Sequence, residues 1–388
     1  MTGSYINLAA PCLDDEDWLA LKEPLASGWL TQGPKVRAFE EAFARRHQTA
    51  HALAATSCTT ALHLALAAIG IKPGDRVIVP SFTWIATANV VEYCGATPVF
   101  CDSGLDDYNL DPAALADILG KELKAGRRPK ALIAVHLFGL MADMGPIMDL
   151  AGEHGLTVIE DAACAAGAAW QGRAAGSLGA IGCFSFHPRK IITVGEGGMC
   201  LTNDPELAEK MACLRSHGAS VSEEQRHGGG RPYLLPDFNV LGFNYRMSDL
   251  QGAMGLTQLA KLDRLIAQRR QAAAFYQKRL EHKAGLILPR ARAGFDHSWQ
   301  SYVVRIDPAV SQTSRDEIMA GLEEAGIASR PGTHAIHELG YYRNKYGLKA
   351  QDFPTASALY HQTLTLPLHH LMTDEDYERV ASALERLA

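Results

Sequence analysis

The sequence lacks several things that would announce a specialised chain. Among its eight cysteines (Cys12, Cys58, Cys94, Cys101, Cys164, Cys183, Cys200 and Cys213) no C-x-x-C pair occurs, and most have apolar neighbours. A chain of 388 residues can bury a core without staples. Reduced, mostly buried thiols are therefore expected, and a zinc site is not. No apolar run reaches the length of a membrane span. The first residues, MTGSYINLAAPCLDDEDW, have neither a basic n-region nor a long apolar h-region, so no signal peptide is expected and the chain reads as cytoplasmic. Charge of one sign is not in excess: the formal net charge is −6, with no basic stripe, which argues against a general affinity for nucleic acid or anionic membranes. Internal repeats and low-complexity tracts are missing too.

What is present is an alternation. Short apolar segments at 77–79, 97–100, 131–135, 157–159 and 199–201 are bounded by turn residues and predict strands. Helical patterns at 59–69 and 144–153 lie between some of them. Such alternation predicts an α/β fold with a mainly parallel central sheet and helices on both faces. Lys72-Pro73-Gly74-Asp75 marks a turn before one strand, and His154-Gly155 ends a helix. The polar, Gly- and Pro-rich stretch 222–238 reads as an exposed loop. A long helix is expected over about 248–282, leading into a smaller α+β domain. There Ser314-x-x-Glu317 is a capping box, Thr373-x-x-Asp376 opens another helix, and 301–306 alternates as a strand. The expected division is a large domain over 1–250 and a linker helix with a small domain over 251–388.

Four stretches could carry chemistry. Around Lys190 (C-F-S-F-H-P-R-K-I-I-T-V-G-E-G-G-M) a lysine stands between an aromatic–polar segment and a glycine-rich turn. Lysines are usually solvated surface groups. Here Phe184, Phe186, Ile191 and Ile192 could desolvate the amine, which favours its neutral, nucleophilic form. Gly195, Gly197 and Gly198 permit a sharp turn or a close approach. In T-V-I-E-D-A-A-C a strand ends in Glu160 and Asp161; either could cap a helix, pair with a cation or bind a metal. A carboxylate is also the fitting partner for a pyridinium nitrogen. At A-A-T-S-C-T-T-A-L-H small hydroxyl residues open a helix, either as plain caps or as a phosphate site. Trp84, after a strand end, is either core or a flat ring for a flat ligand.

Taken in order, these stretches resemble the DegT–StrS family of sugar aminotransferases, fold-type I enzymes that use pyridoxal 5'-phosphate (PLP). The resemblance covers nearly the whole chain. It runs through Gly28-Trp29-Leu30-Thr31-Gln32-Gly33-Pro34, Ser57-Cys58-Thr59-Thr60, Pro80-Ser81-Phe82-Thr83-Trp84, Glu160-Asp161-Ala162-Ala163, Phe184-Ser185-Phe186-His187 up to Lys190, Gly195-Glu196-Gly197-Gly198 and Gly242-Phe243-Asn244-Tyr245-Arg246. It implies that Lys190 forms the Schiff base with PLP and serves as general acid/base. Asp161 would pair with the pyridine nitrogen, Trp84 would stack on the ring, and Cys164 would lie beside it. Thr59, Thr60 and Ser185 would hold the phosphate, and Asn244 would reach it from the second subunit of a homodimer. Thr31, His187, Arg330, His334 and His337 would lie near the substrate. The reaction implied moves an amino group from an amino acid, by resemblance L-glutamate, through the pyridoxamine 5'-phosphate form onto a nucleotide-linked keto sugar, for amino-sugar biosynthesis such as that of lipopolysaccharide O-antigen.

Three departures from the family pattern stand out. Cys58 replaces a frequent Gly, so the backbone there is expected not to need a positive φ. Cys164 replaces a frequent Gln. R-P-G-T-H-A-I-H (330–337) lacks the usual aromatic pair and Pro-Leu-His, which leaves the sugar open, as are its nucleotide and the carbon aminated. Two rivals share the fold: a PLP- or pyridoxamine-phosphate-dependent sugar dehydratase, in one branch of which His replaces the lysine, and a non-catalytic PLP-binding regulator. Retention of Lys190, Asp161 and the phosphate residues together favours the aminotransferase.

Overall fold

A computed structural model describes residues 4–220 and 235–388. The loop expected over 222–238 lies outside the described residues except for its last four. Seven strands form one sheet: β1 (His51–Ala55), β2 (Arg76–Pro80), β3 (Thr97–Cys101), β4 (Ala131–Val135), β5 (Thr157–Asp161), β6 (Ile181–Ser185) and β7 (Gly198–Thr202). Their order is β1-β7-β6-β5-β4-β2-β3. β7 alone runs against the others.

The strands are apolar on both faces because both are covered. In β2, Ile78 enters one core while Val77 and Val79 enter the other; β4 divides likewise, with Leu132 and Ala134 opposite Ala131 and Ile133. Helices α1 (Pro34–Arg46) and α4 (Met144–His154) cover the first face, through Phe39, Phe43, Ile147 and Ala151. Helices α2 (Cys58–Ala68) and α3 (Ala86–Tyr93) cover the second, through Leu62, Leu66, Val90 and Val91. α4 ends on Gly155 in the left-handed region, as its His-Gly signal predicts.

α5 (Asp249–Leu280) is opened by a capping box between Ser248 and Gln251. Its first turns lie on α1, where Gly252 and Gly255 leave room for Val36 and Phe39. Its last turns join a second core with α6 (Arg315–Glu324) and α7 (Asp374–Leu387). That core backs a four-stranded antiparallel sheet of β8 (Leu286–Ile287), β9 (Tyr302–Ile306), β10 (Arg330–Pro331) and β11 (Thr363–Leu366), in the order β8-β9-β11-β10. The expected capping box of Ser314 with Glu317 is formed, and the helix start expected at Thr373 is capped in the same way by Asp376. The N-terminal segment belongs spatially to this part: Ile6 bonds backbone to backbone with Gly326 and Ala328.

The two parts of the molecule are joined at several places, two of them following strand ends. Phe82–Thr83 pairs with His334–Ala335, and residues 138–139 bond to residues 298–301. Phe82 follows the carboxyl end of β2, and Phe138 that of β4.

Candidate active site

The strand period separates the two acids at the end of β5. Glu160 faces the α1 side. There it accepts from His136 Nε2 (2.8 Å) and from the amides of Gly176 (2.8 Å), Leu178 (2.7 Å) and Gly179 (2.6 Å). Burial opposes its ionisation, but His136 and these amides outweigh it and hold the carboxyl below its ordinary range. Asp161 faces α2 and α3. It accepts from Thr87 Oγ1 (2.9 Å) and the Ala163 amide (3.2 Å), with Cys58 Sγ 3.9 Å away. Burial raises its pKa, against the pull of Thr87, the Ala163 amide and Lys190. Glu160 is thus a satisfied structural carboxylate, while Asp161 is a buried carboxyl with no ion pair among the described residues and only the more distant charges of Lys190 and His136 acting on it.

Lys190 lies in the turn between β6 and β7, half-buried, with Nζ 3.0 Å from Cys164 Sγ. The glycine run shapes this turn. Gly195 has φ +85°, and a Cβ on Gly198 would stand 2.3 Å from the Ser57 carbonyl oxygen. The close approach is therefore to the start of α2 rather than to a ligand. There Ser57 is the N-cap: its hydroxyl accepts from the Thr60 amide (3.1 Å), and Thr60 Oγ1 accepts from the Ser57 amide (2.9 Å) and meets Thr56 Oγ1 (3.0 Å). The Thr60 hydroxyl is used by the cap, so Cys58 and Thr59 carry the amides at the helix's open end. Cys58 is the first helical residue and is not among the positive-φ positions, as its replacement of glycine predicts.

The rim is held by the pairing of His334 with Thr83. Trp84 is 56% exposed, which rules out a core role, and its ring meets His334 edge-on at 5.4 Å. Arg330 is partly buried, with its Nε lacking an acceptor. Burial, and then the charge of Arg189, lower its pKa, while Cys164 acts in the opposite direction, which places all three near Lys190. Among the described residues neither Arg189 nor Arg330 pairs with a carboxylate. His187 is half-exposed on the Lys190 turn, 4.0 Å from Glu196; burial lowers its pKa, and Glu196 opposes this. Ser185, at the end of β6, accepts from the His187 amide at 3.4 Å.

His337 is different. It is fully buried, with Nδ1 on Ser81 Oγ (2.5 Å) and Nε2 on Ser357 Oγ (2.9 Å). It braces the joint beneath His334 and has no free ring nitrogen for a substrate. Thr31 is exposed at the entry to α1, where its carbonyl accepts from the Asp249 amide (3.1 Å). Asn244 is exposed beside Tyr245, whose carbonyl accepts from the Thr56 amide (3.0 Å).

Three residues near Lys190 or Asp161 escape the sequence reading: Thr87, Arg189 and Gln300. Thr87 reads as an ordinary helix threonine, 74 positions from the acid it serves. The arrangement suits a flat, phosphorylated ring with a basic nitrogen and a carbonyl. The buried Asp161 forms no ion pair among the described residues, the α2 start offers amides to a phosphate, and Lys190 offers an amine.

The profile of the DegT/DnrJ/EryC1/StrS aminotransferase family matches residues 11–385. A GDP-perosamine synthase of Caulobacter vibrioides is 41% identical over 98% of both chains. The structure of the aminotransferase TlmJ from Streptoalloteichus hindustanus superposes with a TM-score of 0.88 at 31% identity, covering 98% of both chains. Spr1654 of Streptococcus pneumoniae, in its PLP form, superposes with a TM-score of 0.88 at 25% identity, covering 99% of this chain and 98% of that one.

Proposed function

The chain belongs to the DegT/DnrJ/EryC1/StrS aminotransferase family, and from that premise we propose how its residues carry out a PLP-dependent amination of a nucleotide-linked keto sugar. Bound PLP supplies a carbonyl that condenses with amines and a ring that withdraws electrons. Lys190 would carry the cofactor, and its Nζ is the group that would hold and move the proton. Asp161 would keep a proton on the ring nitrogen, and the burial that raises its pKa in the protein alone supports this pairing, because a cationic partner would stabilise its charge. Thr87 and the Ala163 amide orient the carboxylate. Trp84 covers the ring, and Cys164 lies beside it. Ser185, Thr59 and the α2 amides hold the phosphate, with Thr60 fixing the cap.

The amino donor is L-glutamate. Arg330, with Arg189, His187 and His334, receives the anionic groups that donor and sugar nucleotide bring, while His337 acts by holding His334 in place. The acceptor to try first is a GDP-linked keto sugar, by the likeness to the perosamine synthase. The working unit is a homodimer in the cytoplasm. The exposed Asn244 would complete the partner's phosphate site, and the exposed Leu235, Phe238, Val240 and Leu241 nearby offer apolar surface for the contact. Thr31 stands near the substrate. We assign the large domain to 1–250, with its first residues docked on the small domain, and the linker helix with the small domain to 251–388. Among the described residues no helix is long and apolar enough to cross a membrane.

The observation that carries this reading is the approach of the Lys190 amine to Cys164, within the field of the buried Asp161. Its test is borohydride reduction of the PLP-loaded protein followed by peptide mapping. The phosphopyridoxyl mass should fall on the peptide containing Lys190 and be absent from Lys190→Ala; label on another lysine would overturn the assignment.

A further inference from the structure

One side chain holds the peptide groups on both sides of Lys190. Gln300 Oε1 accepts from the Ile191 amide at 3.0 Å, and Gln300 Nε2 donates to the Arg189 carbonyl at 2.6 Å. Gln300 is 9% exposed and lies just before β9, in the other half of the molecule. A buried amide engaged at both ends fixes the backbone it spans, because a shift leaves buried polar groups unpaired.

The position of Gln300 is itself set by unusual backbone. Trp299 has φ +53° and Phe138 φ +59°, a region that bulky residues seldom occupy. The two segments hold each other there: the Ser298 amide donates to the Gly139 carbonyl (2.9 Å) and the Ser301 amide to the Phe138 carbonyl (3.1 Å). Gly139, at φ +100°, lies so close that a Cβ on it would be 2.8 Å from the Gln300 nitrogen. The Trp299 ring stacks on His297 at 3.9 Å, and its amide donates to His297 Nδ1 (2.9 Å). Arg269 Nη1 donates to the Trp299 and Gln300 carbonyls at 3.1 Å each. Backbone strain persists only where its surroundings over-determine it, and such places gather at functional sites.

We infer that Gln300 is a positioning residue for Lys190. The clasp of 138–139 with 298–301 presents the Gln300 amide, and that amide sets where the Lys190 amine stands relative to Cys164 and Asp161. The inference rests on the reading above only for Lys190 as the amine that carries the cofactor. It also gives a physical route by which movement of the small sheet reaches the lysine.

Gln300→Met keeps the length and removes both hydrogen bonds. Gln300→Glu keeps an acceptor for Ile191 and loses the donor to Arg189. In cofactor-free Gln300→Met, hydrogen exchange at the Ile191 amide should rise about tenfold or more. In the loaded protein the pH midpoint of the bound-cofactor absorbance should move by about half a unit or more. The kcat should fall about tenfold or more, with both KM values within about threefold of wild type. Gln300→Glu should lie between the two. Unchanged Ile191 exchange in Gln300→Met overturns the clasp. Raised exchange with wild-type midpoint and kcat overturns the positioning role. Should Gln300→Met fail to fold, a Gln300→Glu protein with wild-type midpoint and kcat overturns it equally. A wild-type protein without a cofactor band contradicts the reading of Lys190 instead, and exchange at Ile191 still decides the clasp.

Discussion

At the scale of single residues, environment rather than identity separates the acid proposed to serve the cofactor from the structural one. Glu160 and Asp161 are neighbours in sequence and chemically alike, yet the strand sends one to four N–H donors and the other to a hydroxyl, an amide and a distant thiol. Which acid mattered was legible in the sequence only through the family resemblance. The pairing of Asp161 with Thr87 was not, because contacts 74 positions apart leave no local pattern. The raised pKa of Asp161 gives a prediction with a definite sign. A carboxyl whose folded pKa exceeds its unfolded value favours folding at low pH and opposes it increasingly as pH rises through that folded value. Asp161→Asn should therefore leave the cofactor-free protein at least as heat-stable at pH 8 as wild type. The same change should lower kcat of the loaded enzyme by about 10²-fold or more, since the charge opposite the ring nitrogen is lost. Calorimetry of the cofactor-free protein and steady-state rates check the two halves.

At the scale of elements, the strands at 77–79, 97–100, 131–135, 157–159 and 199–201 were legible to within two residues, as were the long helix and the helix starts at Ser314 and Thr373, because short apolar runs and cap residues act locally. β1 and β6 were not legible as strands. H-A-L-A-A is rich in a helix former, and I-G-C-F-S is broken by glycine; their place in the sheet comes from pairing with β7. The glycines after Lys190 permit a sharp turn or a close approach, and the structure uses both: Gly195 turns at φ +85°, and Gly198 makes room for the carbonyl of Ser57 at the start of α2 rather than for a ligand. Gly198→Ala would force that helix start outward. We expect a loss of about 1–3 kcal/mol in stability, read by urea unfolding, and weaker PLP binding. Unaltered PLP affinity would detach the α2 start from the phosphate.

At the scale of the whole molecule, two buried histidines couple folding to pH. Burial drives His47 and His297 down to about 3, so both stay neutral in the fold. Bases with depressed folded pKa values withdraw stability as pH falls below their unfolded value, each by at most about 1.4 kcal/mol per pH unit. The unfolding midpoint should thus decline from pH 6.5 towards 4, and a flat profile there would contradict their burial. Shared sites make a further demand. Mixing Lys190→Ala with Asn244→Ala subunits after dissociation should restore activity, because one site of each mixed dimer carries neither defect; no recovery would mean that each subunit completes its own site. The central claim, an amino group passing through this site from an amino acid to a nucleotide sugar, is tested most directly by following cofactor absorbance through both half-reactions in one cuvette. L-Glutamate alone should bleach the band of PLP bound at Lys190, and a GDP-linked keto sugar added after removal of glutamate should restore it with one equivalent of amino sugar formed per site. A band that no amino donor bleaches would contradict the account.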